Sequence, residues 1–365
     1  MSSDPDALRD TPLALKLKAQ IARDGPMELS RFICACLWDR VHGYYATKAV
    51  IGRAGDFVTA PEISQIFGEL LGLWSAVVWQ SMGAPAAVKL VEFGPGRGTL
   101  MTDALRAIAK VPGMPAAMTV VMVEQSAGLR RQQQNALANQ QIPITWVEAS
   151  RPSDAPMILL GNEFIDVFGP DQSVKTPMGW RWRAVALDEG GQFQFAPSLT
   201  TRLRPELDQR WPDAPVGSIC EQLRTNDLAA EFKALAAGQP FAALFVDYGH
   251  LHSDLGETLQ AVRQHAYEHP LCSPGEADLT MQVDFEDLAR EMAAAGFTVD
   301  GPITQAEFLG RLGIIERASK LMAANPQRAT EIEAGVARLM APNGMGTRFK
   351  AIGIRSADVP KLPGF

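Results

Sequence analysis

"LVEFGPGRGTL", residues 90–100, decides the fold of this 365-residue chain. An apolar run ends at Glu92, and Gly94, Gly96 and Gly98 follow at every second position. The next stretch, "TLMTDALRAIAK", repeats Leu100, Ala104 and Ile108 on one helical face. Strand, glycine loop and helix in that order is the context in which such glycines mark a ligand site. Glycine reaches φ > 0 without cost and carries no Cβ to hold a ligand off the main chain. Thr99 stands where a G-x-G-x-x-G dinucleotide fingerprint needs its third glycine, and no Gly-Lys-Ser/Thr of a phosphate loop follows. A dinucleotide would set an anionic pyrophosphate at the helix N-terminus, where the Glu92 carboxylate would oppose it. S-adenosylmethionine instead presents an ammonium and a sulfonium, and an acid at Glu92 suits that cationic part, directly or through water. This disfavours a nicotinamide-dependent oxidoreductase.

Similar apolar runs recur: "MTVVMVEQ" from Met118, "ITWVEA" from Ile144, "MILLGNEF" from Met157 and "FAALFVDYG" from Phe241. Continuous apolarity fits strands buried on both faces of a parallel sheet, and helical runs between the first of them give βαβ spacing. The predicted fold class is α/β, a doubly wound Rossmann-like sheet. The second run ends in Glu124, where a carboxylate can accept both hydroxyls of a ribose.

The expected organisation is an N-terminal helical cap over residues 1–88 and a first half of the core over 89–168. An inserted hairpin and helical substrate region follows over 169–240, because one crossover needs far fewer residues than separate Met157 from Phe241. The second half of the core spans 241–365, with an irregular insertion at 250–285. Three helices are expected in the cap: one carrying Leu13, Leu17 and Ile21, one opening at Pro26, and one with Ile66, Leu70, Trp74 and Val77 on its buried face. Between the second and third lies an unpatterned, glycine-rich stretch, His42–Glu62.

Net charge is −7 and no basic stripe appears, which argues against nucleic acid and an anionic membrane surface. No apolar run reaches the roughly 18 residues of a membrane span. Four cysteines, Cys34, Cys36, Cys220 and Cys272, read as small buried hydrophobes rather than a disulfide framework. With an acidic N-terminus lacking an apolar leader core, the expected compartment is the cytoplasm. His250 and His252 lack companions for a metal, so no metal site is expected. Trp180, Trp182 and Trp211 fit hairpin and core packing as well as a peptide surface.

The fourth run ends "LLGNEFIDVFGPDQ". In doubly wound sheets ligands bind at the carboxyl ends of strands, which places Asn162, Glu163 and Asp166 beside a cofactor held by Gly94–Gly98. Two acids there suit a cationic acceptor, since a guanidinium pairs bidentately with carboxylates. Glu163 is the expected guanidinium acceptor and catalytic residue, with Asp166 assisting. Asn162 joins Glu92, Gly94, Gly96, Gly98 and Glu124 as cofactor-binding candidates.

The chain resembles the MidA-like family, to which the mitochondrial complex I assembly arginine methyltransferase belongs. The resemblance is carried by "GYYATKAVIGRAGDFVTAPEISQIFGELLG", "EFGPGRGTLMTDALR", "NEFIDVFG", "DLTMQVDF", "FLGRLGI" and "MGTRFKAI", nearly end to end. It implies an S-adenosylmethionine-dependent methyltransferase that modifies arginine on a protein substrate, a core subunit of respiratory complex I. It also implies that Pro61 and Glu62 of "TAPE" stand at the mouth of the cofactor site. The sequence departs from the family at Ile165 and Val167–Gly169, in the stretch that shapes the acceptor groove, and at Gln282, where relatives often carry histidine. Two other readings stay open: an assembly factor that keeps the fold without methyl transfer, and a small-molecule methyltransferase. No oligomeric state is read from the sequence.

Overall fold

The computed structural model describes residues 8–47, 59–166, 171–199, 203–222, 225–264 and 266–365. Seven strands form the central sheet: β1 (Val88–Phe93), β2 (Met118–Val123), β3 (Ile144–Val147), β4 (Met157–Asn162), β5 (Phe241–His250), β6 (Thr298–Thr304) and β7 (Phe349–Arg355). Their order is β6-β7-β5-β4-β1-β2-β3, and β7 runs antiparallel to both neighbours while the remaining pairs are parallel. Residues Val283–Asp284 add a short parallel pairing at the end of β5. The chain leaves β1 toward β2 and β3 on one side and returns at β4 on the other. The crevice of this switch point lies beyond the carboxyl ends of β1 and β4. Register levels those ends: Phe93 sits opposite Gly161, and Val246 opposite Asn162.

Eight helices concern the site and its support: α1 (Pro12–Asp24), α2 (Leu29–Trp38), α3 (Gln65–Ser81), α4 (Thr99–Ile108), α5 (Ala127–Ala136), α6 (Thr225–Ala236), α7 (Phe285–Ala294) and α8 (Ile314–Ala324). Strand residues alternate between two cores. Leu90 and Leu160 pack with α3 and α4, whereas Val91 and Leu159 pack with Phe232 of α6 and Leu288 of α7. Both faces are covered, which is why the strands read as unbroken apolar runs.

The helices α1 and α2 make a third core with the inserted segments. Leu13, Leu17, Ile21, Phe32 and Ile33 pack with Val185, Phe193, Ala261 and Leu279. Gly179–Leu187 and Phe193–Pro197 pair antiparallel as a hairpin, closed by Asp188–Gln192.

Four expectations are corrected. Pro26 does not open α2: Met27 and Glu28 pair instead with Val185 and Ala184, and α2 begins at Leu29. Val77 is 47% exposed while Trp74 is 1% exposed, because the buried side of α3 also includes Phe67, Leu71 and Val78. The 250–285 stretch is not irregular throughout, since Gln260–Arg263, Ala266–Glu268 and Asp278–Thr280 form a three-stranded sheet. Cys36, Cys220 and Cys272 are buried, but Cys34 is exposed. Most of the glycine-rich stretch after His42 lies outside the described residues, as do Val167, Phe168 and Gly169.

Candidate active site

Beyond β1 the main chain turns through Gly94, Gly96 and Gly98, at φ +60°, +53° and +84°. A Cβ on Gly94 would stand 2.9 Å from Cδ2 of Phe164, so both its conformation and its space call for glycine. The loop is braced from behind by Gln133 of α5, a fully buried side chain. Its Nε2 donates to Gly96 O at 2.7 Å and to Glu124 Oε2 at 3.2 Å, while its Oε1 accepts from Trp146 Nε1 at 3.0 Å.

A solvent-open cleft adjoins this loop. Glu92, Gly94, Gly96, Asn162 and Glu163 line it together with Pro61, Glu62 and Thr99. Gly98, Glu124 and Asp166 do not line it. Glu124 accepts the Ser126 N–H at 2.7 Å as well as the Gln133 amide, and burial pushes its carboxyl up.

Two acceptors in the cleft wall have no donor among the described residues. Glu92 is 3% exposed and its Oε2 lacks a hydrogen bond, as does Oδ1 of Asn162. Burial, with the charge of Glu124 second, pushes the Glu92 carboxyl up to about 8. Buried acceptors left unpaired cost stability, and two on one wall fit the ammonium of S-adenosylmethionine.

Glu163 follows β4 at φ +51°, a region non-glycine residues seldom occupy. Its N–H still bonds Val246 O at 2.9 Å. Its Oε1 accepts from Ala60 N at 3.3 Å and Asn162 Nδ2 at 3.2 Å. Burial first, then neighbouring Asp166, raises its carboxyl to about 7. The short helix Ala60–Ile63 thus touches Glu163 at one end. At the other, Glu62 accepts from Thr99 Oγ1 at 2.7 Å, with Arg97 at 3.7 Å.

Asp247 and Tyr248 escape the sequence reading, which weighs only the histidines of "DYGHLH". Asp247 is fully buried, and its Oδ2 accepts three successive N–H groups, from Phe164 (3.0 Å), Ile165 (2.8 Å) and Asp166 (3.2 Å). Burial and the nearby acids push its carboxyl upward, and those donors favour its charge. Tyr248 donates its hydroxyl to Asp166 Oδ2 at 2.6 Å. The available signal was an acid inside an otherwise apolar, doubly buried strand. Gln133 gave a weaker one, being a polar residue in a polar-looking helix.

The other chemistry-bearing residues lie elsewhere. His250 Nε2 is 3.9 Å from Asp284 Oδ2, and among the described residues no group of three or more potential ligands surrounds a metal position. Gln282 is exposed and its N–H bonds Thr258 Oγ1 at 3.0 Å. Trp180 is core, and Arg204 stacks 3.8 Å over Trp182. Among the described residues no helix is long and apolar enough to cross a membrane.

A family model described as "Putative S-adenosyl-L-methionine-dependent methyltransferase" matches residues 70–303. The chain is 33% identical to the mitochondrial protein arginine methyltransferase NDUFAF7 homolog of Drosophila melanogaster, with 96% of this chain and 87% of that protein covered. It is 34% identical to mitochondrial NDUFAF7 of Homo sapiens, with 93% of this chain and 82% of that protein covered. A methyltransferase-like protein from Burkholderia thailandensis, crystallised with S-adenosyl-homocysteine, superposes with a TM-score of 0.85 at 27% identity, covering 98% of this chain and 97% of that one. These relatives overturn the cytoplasmic expectation, since both NDUFAF7 proteins are mitochondrial. Composition could not separate the two, because any aqueous compartment asks for the same polar surface. Glycine loop, acid-lined crevice and end-to-end similarity agree: the chain belongs to the S-adenosyl-L-methionine-dependent methyltransferases.

Proposed function

We propose that this protein methylates an arginine side chain of a protein substrate, with Glu163 as the residue that grips and deprotonates the guanidinium. The observation that carries this reading is the Glu163 carboxyl itself. It lies in the wall of the cofactor cleft, held by Ala60 and Asn162, with Asp166 behind it. When bound, S-adenosylmethionine supplies a methyl group on a sulfonium that leaves as a neutral thioether. Glu92 and Asn162 would take its ammonium, the Gly94–Gly98 backbone would pass close beneath it, and Glu124 would take the ribose hydroxyls. Pro61 and Glu62 would close the mouth.

The protein's part at the acceptor is positioning and proton transfer. Glu163, as carboxylate, pairs with the guanidinium and aims one nitrogen at the methyl carbon. As the N–C bond forms and the C–S pair stays on sulfur, the surplus N–H proton passes to the Glu163 carboxylate. The relatives' arginine methyltransferase names support this acceptor, and the family resemblance supports a complex I core subunit as its bearer. The inserted 169–240 and 250–285 regions are the proposed docking side for that protein.

The test uses lysate of cells deleted for this chain, incubated with the purified protein and methyl-labelled S-adenosylmethionine. One labelled polypeptide carrying methylarginine is expected, and Glu163→Gln should label it at least ~100-fold more slowly. Label confined to small molecules, or undiminished labelling by Glu163→Gln, would refute the assignment.

A further inference from the structure

The turn that carries both acceptor acids is shaped by two neighbouring residues of β5. Phe241–Val246 is apolar throughout, then Asp247 and Tyr248 interrupt the run. Three consecutive N–H groups, those of residues 164–166, converge on one Asp247 oxygen, and its other oxygen accepts the Tyr248 N–H at 2.9 Å. Successive amides wrapped around one anion form a rigid cup. With the Glu163 N–H tied to Val246 O, this cup holds Glu163 at φ +51°, a strained region for a non-glycine residue. Asp247 therefore sets the backbone. The Tyr248 hydroxyl acts on the side chain of Asp166, at 2.6 Å. The Tyr248 ring is fixed in turn, edge-on to Phe349 with centroids 5.7 Å apart.

We infer that Tyr248 is a positioning residue for methyl transfer: its hydroxyl holds the Asp166 carboxyl near Glu163, so that Glu163 meets the acceptor against a fixed neighbouring charge. The inference rests on the arginine reading above. Charged and titratable groups around Asp166 come from several elements: Glu163 on the same turn, Asp247 and Tyr248 on β5, and Tyr45, whose hydroxyl lies 3.4 Å from Asp278 Oδ1. Arg338 acts from beyond Glu163. Burial and the adjoining acids push the Tyr248 hydroxyl well above its usual range, so it remains a donor throughout.

Tyr248→Phe keeps the ring against Phe349 and removes only the O–H. Cofactor affinity, read by calorimetry with S-adenosyl-homocysteine, should stay within about twofold, since the hydroxyl touches none of the cleft wall. The initial labelling rate at limiting lysate, proportional to kcat/KM, should fall about tenfold or more, as expected for loss of a hydrogen bond to a charged group. The Asp166 charge raises the Glu163 carboxyl, so freeing Asp166 from its place should move the acid limb of the pH–rate profile to lower pH. In an Asp166→Ala background, which removes the acceptor, the same substitution should cost little further, because the two act through one bond. An unchanged rate and profile for Tyr248→Phe, or an equal loss in the Asp166→Ala background, would overturn the inference. Glu163→Gln run in parallel separates the two claims. If it is inactive while Tyr248→Phe is normal, the positioning role alone fails; if it labels at full rate, the arginine reading fails and takes this inference with it.

Discussion

Glu92 stands out as a buried acid in the cleft wall, one of whose oxygens meets no donor among the described residues. Its carboxyl is raised to about 8 by burial and by Glu124. Below about pH 4.5 the group is protonated in both the folded and the unfolded chain. Between there and about 8 the folded protein keeps a proton that the unfolded chain has released, so stability falls as pH rises through that window. Each unit of upward shift costs about 1.4 kcal/mol. Glu92→Gln should therefore raise the melting temperature of the cofactor-free protein by a few degrees at pH 8 and hardly at pH 5, while weakening cofactor binding at least tenfold. Equal melting shifts at both pH values would refute a buried, titrating acid. Glu163, raised to about 7, has to be ionised to pair with a guanidinium. The rate of labelling at limiting acceptor should climb with pH through about 7 and then level off, and a flat profile across that range would remove Glu163 from the step. Glu92 and Glu163 were legible because each ends an apolar run. Asp247 was not, because the three N–H groups that give it meaning lie 81–83 residues away along the chain.

Helix α3 shows what periodicity alone leaves out. A single apolar stripe puts Val77 inside, yet α3 is buried on two sides, against the sheet and α4 and against α8, where Arg317 pairs with buried Glu69 at 2.7 Å. Gly68 and Gly72 let α3 meet α4 backbone to backbone. A Cβ at Gly72 would lie 2.5 Å from Ala104 O, and one at Gly68 2.9 Å from Leu100 O. Since α4 starts at the glycine loop, this contact fixes the helix that presents the loop. Gly72→Val should destabilise the fold by about 1–3 kcal/mol or more and weaken cofactor binding in proportion to the displacement of α4. Val77→Ala, on the exposed side, should change stability by no more than about 0.5 kcal/mol. Thermal melts of the two, with calorimetric cofactor titrations, check both outcomes. If Gly72→Val melts with the wild type, the close helix crossing is absent in solution.

The molecule as a whole joins one covered sheet to a third core made from distant segments. The proposed cofactor cleft is built from β1, β4, the Ala60–Ile63 helix and, through Gln133, α5. A ligand held at so many elements should stabilise the entire fold. S-adenosyl-homocysteine at 100 times its dissociation constant should add about 2.7 kcal/mol, seen as a higher melting temperature that Gly94→Ala abolishes; no shift in the wild-type protein would contradict the site. Strand runs, the glycine turn and the acids at strand ends could be read from residue order, because burial and backbone freedom are local properties that leave a short-range pattern. Sheet order beyond β4, the packing of α1 and α2 on the hairpin of residues 179–197, and the cup around Asp247 could not. Each depends on which surfaces fit once the chain has closed, and local patterning records that a residue is to be buried without recording against what.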